Sequence, residues 1–97
     1  MRIRFTPRAT SDLAVIADYV RARNPIAAQR VRSAILASLE TVRSFPKSGR
    51  AQTAPGVRKL VTRKYRYLVY YSVDDRREEV VVLTIQHPAR ERAFEDA

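Results

Sequence analysis

Two amphipathic helix patterns, separated only by an Asn-Pro step, constrain this chain of 97 residues more than any other feature. The first pattern follows Thr6-Pro7, an N-cap and a proline suited to the first helical position. Its apolar residues recur at helical spacing: Leu13, Ile16, Ala17 and Val20. Asn24-Pro25 ends this helix and begins a second one, whose apolar residues are Ala28, Val31, Ile35, Leu39 and Val42. Helices joined by so few residues must fold back into an antiparallel hairpin.

The rest of the chain favours β-structure. Arg2 to Phe5 alternates charged and apolar residues, which predicts a short strand. Residues 45–56 hold two prolines and both glycines, and we expect an irregular loop there. Three β-rich segments follow, at 57–62, 65–73 and 79–86. The polar turn at 74–78 predicts that the last two strands form an antiparallel hairpin.

The resulting order, β-α-α-β-β-β, predicts an α+β fold with the helical hairpin packed on one face of a small, mainly antiparallel sheet. We expect a single domain over residues 1–97, because a chain of this length can bury roughly two-thirds of its unfolded surface. The polar tail, about 91–97, is expected either to add a helical turn or to stay mobile.

Composition removes several classes of function. The chain has no cysteine and a single histidine, His87, so disulfides, thiolate chemistry and a histidine-rich metal site are excluded. No Walker loop, dinucleotide fingerprint or serine elbow occurs, and we expect no metal and no cofactor. The carboxylates Asp12 and Asp18 do not share a helical face, which argues against an acid–base pair. Without a transmembrane or signal segment, a soluble cytoplasmic protein that does not bind a membrane is expected.

Positive charge is concentrated in the middle of the chain. The net charge is +9, yet residues 41–73 alone carry eight basic and no acidic side chains. Residues 74–97 carry four basic and seven acidic ones. Such a local field attracts polyanions or an acidic protein, and arginine suits bidentate contacts to phosphate or carboxylate. The alternative is a solvated surface that only aids solubility.

Cations alternate with aromatic rings in this segment, which is typical of surfaces that contact phosphates and stack on bases. On the predicted middle strand Tyr67, Val69, Tyr71 and Val73 share one face, and Arg66, Leu68, Tyr70 and Ser72 share the other. The tyrosines could equally fill the core. The candidate binding residues are Arg58, Lys59, Arg63, Lys64, Arg66 and Tyr67, with Tyr65 and Tyr70 nearby.

The order of several short motifs resembles the ParE/RelE family of toxin–antitoxin toxins. The resemblance covers nearly the whole chain, from the first strand to Arg90, and no single motif carries it. The matching segments are Thr6-Pro7 before Asp12-Leu13, Asn24-Pro25, Phe45-Pro46-Lys47-Ser48-Gly49-Arg50, Pro55-Gly56-Val57-Arg58, the run from Tyr65 to Tyr71, and His87-Pro88-Ala89-Arg90.

This resemblance implies a small bacterial toxin that a cognate antitoxin neutralises by wrapping around it with an acidic segment. Such modules serve plasmid maintenance or the response to stress. ParE-like members poison DNA gyrase and have no established catalytic residues, whereas RelE-like members cleave mRNA in the A site of the ribosome. A non-catalytic nucleic-acid-binding module is a third possibility, which the mixed faces of the predicted sheet disfavour.

The residues that match the nuclease branch form an incomplete set. Arg66 matches the arginine that stabilises the phosphate, and His87 falls where some members place a histidine. With Arg90 these would be the catalytic candidates of a nuclease. Pro88, however, stands where those members have a tyrosine, and the loop at 45–56 holds no glutamate. His87 alone would then serve both proton transfers. We therefore expect a ParE-like gyrase inhibitor, with a ribosome-dependent endoribonuclease as the alternative.

Overall fold

Both predicted helices begin at a capped proline in the computed structural model, which describes residues 1–88. Helix α1 spans Pro7–Arg23, and the Thr6 hydroxyl accepts a hydrogen bond from the Ala9 N–H at 3.1 Å. Helix α2 spans Pro25–Ser44. Asn24 ends α1 and caps α2, since its Oδ1 accepts from the N–H groups of Ile26 (3.1 Å) and Ala27 (3.2 Å). One residue therefore makes the corner of the hairpin, which confirms the predicted connection.

Five strands form one mixed sheet beneath this hairpin. The strands are β1 (Arg2–Phe5), β2 (Arg50–Ala51), β3 (Val57–Val61), β4 (Leu68–Asp74) and β5 (Glu79–Gln86). Their order across the sheet is β1-β5-β4-β3-β2. Strand β1 runs parallel to β5, and the other three pairings are antiparallel. The predicted α+β class and the mainly antiparallel sheet are confirmed.

Two details of the predicted strands were wrong. The loop at 45–56 contains the two-residue strand β2, which pairs with β3. Strand β4 begins at Leu68 instead of at residue 65, because Tyr65 and Arg66 have φ angles of 65° and 55°. This left-handed conformation is incompatible with a strand and places both residues in a turn.

The core lies between α2 and the middle strands. All five apolar residues predicted for the second helix are buried there: Ala28, Val31, Ile35, Leu39 and Val42. They meet a sheet face that includes Val69, Tyr71, Val80 and Val82. Leu13, Ile16 and Val20 of α1 pack against the same cluster and stay partly exposed. Burial of Leu68, which is 1% exposed, shows that the other face of β4 is also covered at this point.

Beyond the end of β1, the cap and first turns of α1 bond to the edge of β5. The Thr6 N–H donates to the Val82 carbonyl at 3.0 Å, and its hydroxyl donates to the Leu83 carbonyl at 2.9 Å. Asp12 Oδ2 then accepts from the Ile85 N–H at 3.1 Å and from the Thr84 hydroxyl. Thr6 and Asp12 thus satisfy backbone groups at this edge of β5 and fix the segment that leads into His87.

Within residues 1–88, neither helix has the length and apolar character that a membrane span requires. The predicted tail at 91–97 lies outside the described residues.

Candidate functional site

A four-residue turn between β3 and β4 carries the densest group of cations. It consists of Arg63, Lys64, Tyr65 and Arg66, all exposed, and we call it the cationic turn. Among the described residues, no carboxylate pairs with the side chains of Arg63, Lys64 or Arg66. Within residues 1–88 the turn is thus a positively charged surface.

The flanking residues Thr62 and Tyr67 close this turn. The Thr62 N–H donates to the Tyr67 carbonyl at 2.9 Å. In return the Tyr67 N–H donates to the Thr62 hydroxyl at 3.0 Å, and that hydroxyl donates to the Lys64 carbonyl at 2.6 Å. Thr62 is 1% exposed, so its hydroxyl is shielded from water. In the sequence Thr62 lies inside a basic, β-rich run, and nothing there indicated that its side chain closes a turn.

The strand register brings His87 to the same end of the sheet as the cationic turn. Leu68 pairs with Gln86, so the residues that precede β4 lie beside those that follow β5. The rings of Tyr67 and His87 meet edge to face, with centroids 5.6 Å apart and planes at 88°. Two of the nuclease candidates, Arg66 and His87, therefore share one end of the sheet, and both are exposed. The third, Arg90, lies outside the described residues.

Tyr67 was a candidate binding residue that could equally fill the core, and in the structure it lies in the core. It is 5% exposed and packs in the core cluster with Ile35 and Val69. Burial, followed by the effect of the neighbouring Tyr19 phenol, raises the pKa of Tyr67 above its ordinary value of 10.0. Its ring contributes to the core and to the contact with His87.

The partly exposed Arg58 side chain, toward the opposite end of β3, is held by hydrogen bonds within the protein. Its guanidinium donates to the carbonyls of Gly49 (2.7 Å) and Lys47 (3.2 Å). The same loop is held by Tyr71, whose hydroxyl donates to the Pro46 carbonyl and accepts from the Gly49 N–H, both at 2.8 Å. Arg58 thus anchors the loop at 45–56, a contact that the sequence did not reveal because its acceptors are backbone groups.

Lys59 lies between these two regions. It is directly opposite Tyr70 on β4 and opposite Arg50 on β2, and it is partly buried. Strand β3 has five residues and spans roughly 16 Å. The positive charge of the middle segment is consequently distributed along the strand. Arg58 lies near its start, Lys59 and the facing Arg50 lie at its middle, and the cationic turn lies at its end.

A groove of about 760 Å³ lies beside the cationic turn, between α2 and the edge of β3. Strand β2 pairs only with Arg58 and Lys59, so Leu60 and Val61 lie beyond its reach. The wall on α2 combines small and polar side chains, and Ile26 and Tyr65 add exposed apolar surface. Arg63, Lys64 and Arg30 supply three cations to the lining. An elongated apolar segment with acidic side chains matches this chemistry.

No group of three or more His, Asp or Glu side chains within residues 1–88 is placed to hold a metal ion. The arrangement can bind anions through Arg63, Lys64 and Arg66. For proton transfer it offers His87, beside which the described residues place the buried Tyr67 ring.

Comparison with known proteins identifies the family. A sequence model described as "ParE toxin of type II toxin-antitoxin system, parDE" matches residues 3–92. Toxin RelE2 of Caulobacter vibrioides is 34% identical over 86 residues, which cover 89% of this chain and 93% of that protein. The chain therefore belongs to the ParE toxin family, within the ParE/RelE superfamily of type II toxins.

Solved structures show the same fold. The chromosomal ParDE system of P. aeruginosa matches with a TM-score of 0.77 and 23% identity, over 90% of this chain and 95% of the other. A chain of the intact E. coli RelBE toxin–antitoxin complex matches with a TM-score of 0.64 and 19% identity, over 89% and 94%. ParE-type and RelE-type names thus occur together among the relatives.

Proposed function

We propose that this toxin inhibits DNA gyrase by binding and that a cognate antitoxin neutralises it. The observation that carries the proposal is the exposed cationic turn, whose charged side chains are Arg63, Lys64 and Arg66. Cleavage of RNA by its 2′-hydroxyl needs one group to accept a proton and another to donate one. Pro88 follows His87, and neither the cationic turn nor the loop at 45–56 contains a carboxylate. Binding through an exposed cationic surface needs no such pair.

The alternative, a ribosome-dependent endoribonuclease, has one observation in its favour. Arg66 and His87 lie at the same end of the sheet, where a cation could stabilise the phosphate while the imidazole moves a proton. A plain nucleic-acid-binding module is a weaker candidate, because burial of Tyr67 removes a ring from the stacking surface that it would need.

A supercoiling assay and a cleavage assay on one purified toxin separate these functions. We expect gyrase to lose supercoiling activity when the toxin is added, while mRNA on translating ribosomes stays intact by primer extension. His87→Gln removes proton transfer and roughly keeps size and polarity, so toxicity should survive it. Ribosome-dependent cleavage that His87→Gln abolishes would overturn the proposal. In that case Arg66→Ala would also lose activity, by about 3–4 kcal/mol of transition-state stabilisation.

The groove and its cations support the antitoxin half of the proposal. A segment that folds on binding can cover a large surface and supply an acidic complement to Arg30, Arg63 and Lys64. Both solved relatives named above come from toxin–antitoxin systems. An adjacent reading frame that encodes a short protein with an acidic tail would identify the partner to test.

A further inference from the structure

The cationic turn contains two consecutive residues in a conformation that side chains disfavour. Tyr65 and Arg66 both have positive φ angles, 65° and 55°. Only one other residue in the described chain that is not glycine does so: Glu78, in the hairpin turn between β4 and β5. Left-handed residues other than Gly, Asn and Asp are uncommon, and they persist only where the surrounding structure enforces them. Other groups in the structure must therefore stabilise the left-handed conformation of Tyr65 and Arg66.

The Thr62 side chain is placed to do so. In a regular antiparallel pair the Tyr67 N–H would donate to the Thr62 carbonyl, whereas here it donates to the Thr62 hydroxyl. The same hydroxyl donates into the turn, to the Lys64 carbonyl at 2.6 Å. A single buried oxygen thus joins the start, the interior and the end of the turn.

We propose that Thr62 is a positioning residue, whose hydroxyl holds Tyr65 and Arg66 in the left-handed conformation and thereby directs Arg63, Lys64 and Arg66 toward the toxin's target. This deepens the proposed function and rests on it, because it assumes that these cations contact the target. Without the hydroxyl, the Tyr67 N–H and the Lys64 carbonyl lose their partners. The turn would then relax toward ordinary negative φ angles, and the cations would point elsewhere.

Thr62→Val and Thr62→Ser form a matched pair for the test. Valine keeps the shape of threonine and removes the hydroxyl, whereas serine keeps the hydroxyl. We expect Thr62→Val to raise the inducer level that halves bacterial growth about tenfold, and Thr62→Ser to restore toxicity. NMR of the purified variants should show the strong intraresidue amide–Hα NOEs of left-handed residues at Tyr65 and Arg66 in Thr62→Ser but not in Thr62→Val.

Val42→Ala controls for lost stability, since Val42 is fully buried in a cluster with Tyr71 and Val80, away from the turn. At a temperature chosen to give equal folded fractions, it should keep wild-type toxicity. Equal loss of toxicity in Val42→Ala and Thr62→Val, or left-handed NOEs that persist in a fully toxic Thr62→Val, would overturn the proposal.

If Thr62→Val does not fold, adding Tyr65→Gly should restore folding, because glycine adopts positive φ without support. Failure of that rescue would also overturn the proposal. Growth inhibition does not depend on which target is bound. A toxin that arrests growth without affecting gyrase would therefore refute the proposed function. The comparison of the Thr62 variants would still test the role of Thr62, because it measures growth.

Discussion

Gly49 and Tyr71 show how closely single residues fit in this protein. The loop at 45–56 passes so near the core that a Cβ at Gly49 would lie 2.5 Å from Tyr71 Oη and 2.7 Å from a carbon of its ring. Tyr71 is fully buried and its hydroxyl makes two hydrogen bonds to the loop. The ring therefore has little freedom to move away.

Gly49→Ala should destabilise the protein by about 1–3 kcal/mol, since the added methyl overfills a packed site. Urea denaturation measures the change. In a Tyr71→Phe background the cost of the same substitution should be smaller, because the nearest atom is gone. An equal cost in both backgrounds would show that the hydroxyl is not what excludes the side chain.

Tyr67 predicts a pH dependence on the alkaline side. Because burial raises its pKa above 10.0 in the folded state, the unfolded chain releases this proton at a lower pH. The contribution to stability is complete below pH 10.0 and is lost as the pH rises through the higher pKa of the folded protein. Urea unfolding between about pH 9 and pH 11 should show a shallower fall for Tyr67→Phe than for wild type. Parallel curves would contradict this.

At the scale of elements, the helices and most strands followed from the sequence because local rules determine them. Prolines, caps and apolar spacing act within one or two turns of helix, and alternation acts within one strand. The start of β4 did not follow, since Tyr65 and Arg66 suit a strand by residue type, whereas their φ angles place them in a turn that Thr62 contacts. Strand β2 was missed because two residues show no periodicity and their pairing is set by tertiary contacts.

The contact between α2 and the sheet can be tested with neighbouring residues. Ile35 is 0% exposed, while Leu36, the next residue, is 40% exposed. Ile35→Ala should cost about 2–5 kcal/mol, the sum of a transfer term and a cavity term. Leu36→Ala should change stability by only about 0.5 kcal/mol. Both are measured by chemical denaturation, and similar small values for the two would place Ile35 outside the core.

At the scale of the whole molecule, the candidate site was only partly predictable. The sequence located the cations and His87, because residue type and the hairpin register place them. The sequence could not show that the Arg58 guanidinium donates hydrogen bonds to backbone carbonyls of the loop, nor that Tyr67 is buried. Both features depend on how distant segments pack.

Charge reversal at the two ends of β4 tests which surface an acidic antitoxin meets. The pair Arg63→Glu and Lys64→Glu changes the cationic turn, and Arg76→Glu with Arg77→Glu makes the same change in charge at the turn after β4. Stopped-flow association should slow about tenfold or more for the first pair and depend less on salt. The second pair should stay near wild type. Equal effects would mean that total charge, and not this surface, governs association.

The parallel pairing of β1 with β5 joins the beginning of the chain to a strand that starts at Glu79. A polypeptide still lacking β5 lacks the strand with which β1 pairs, and it also lacks the backbone groups of β5 to which Thr6 and Asp12 bond. Contacts so distant in sequence form late, because the intervening chain must first be ordered. During synthesis, therefore, the sheet that carries the cationic turn can be completed only after residues 79–86 have been made.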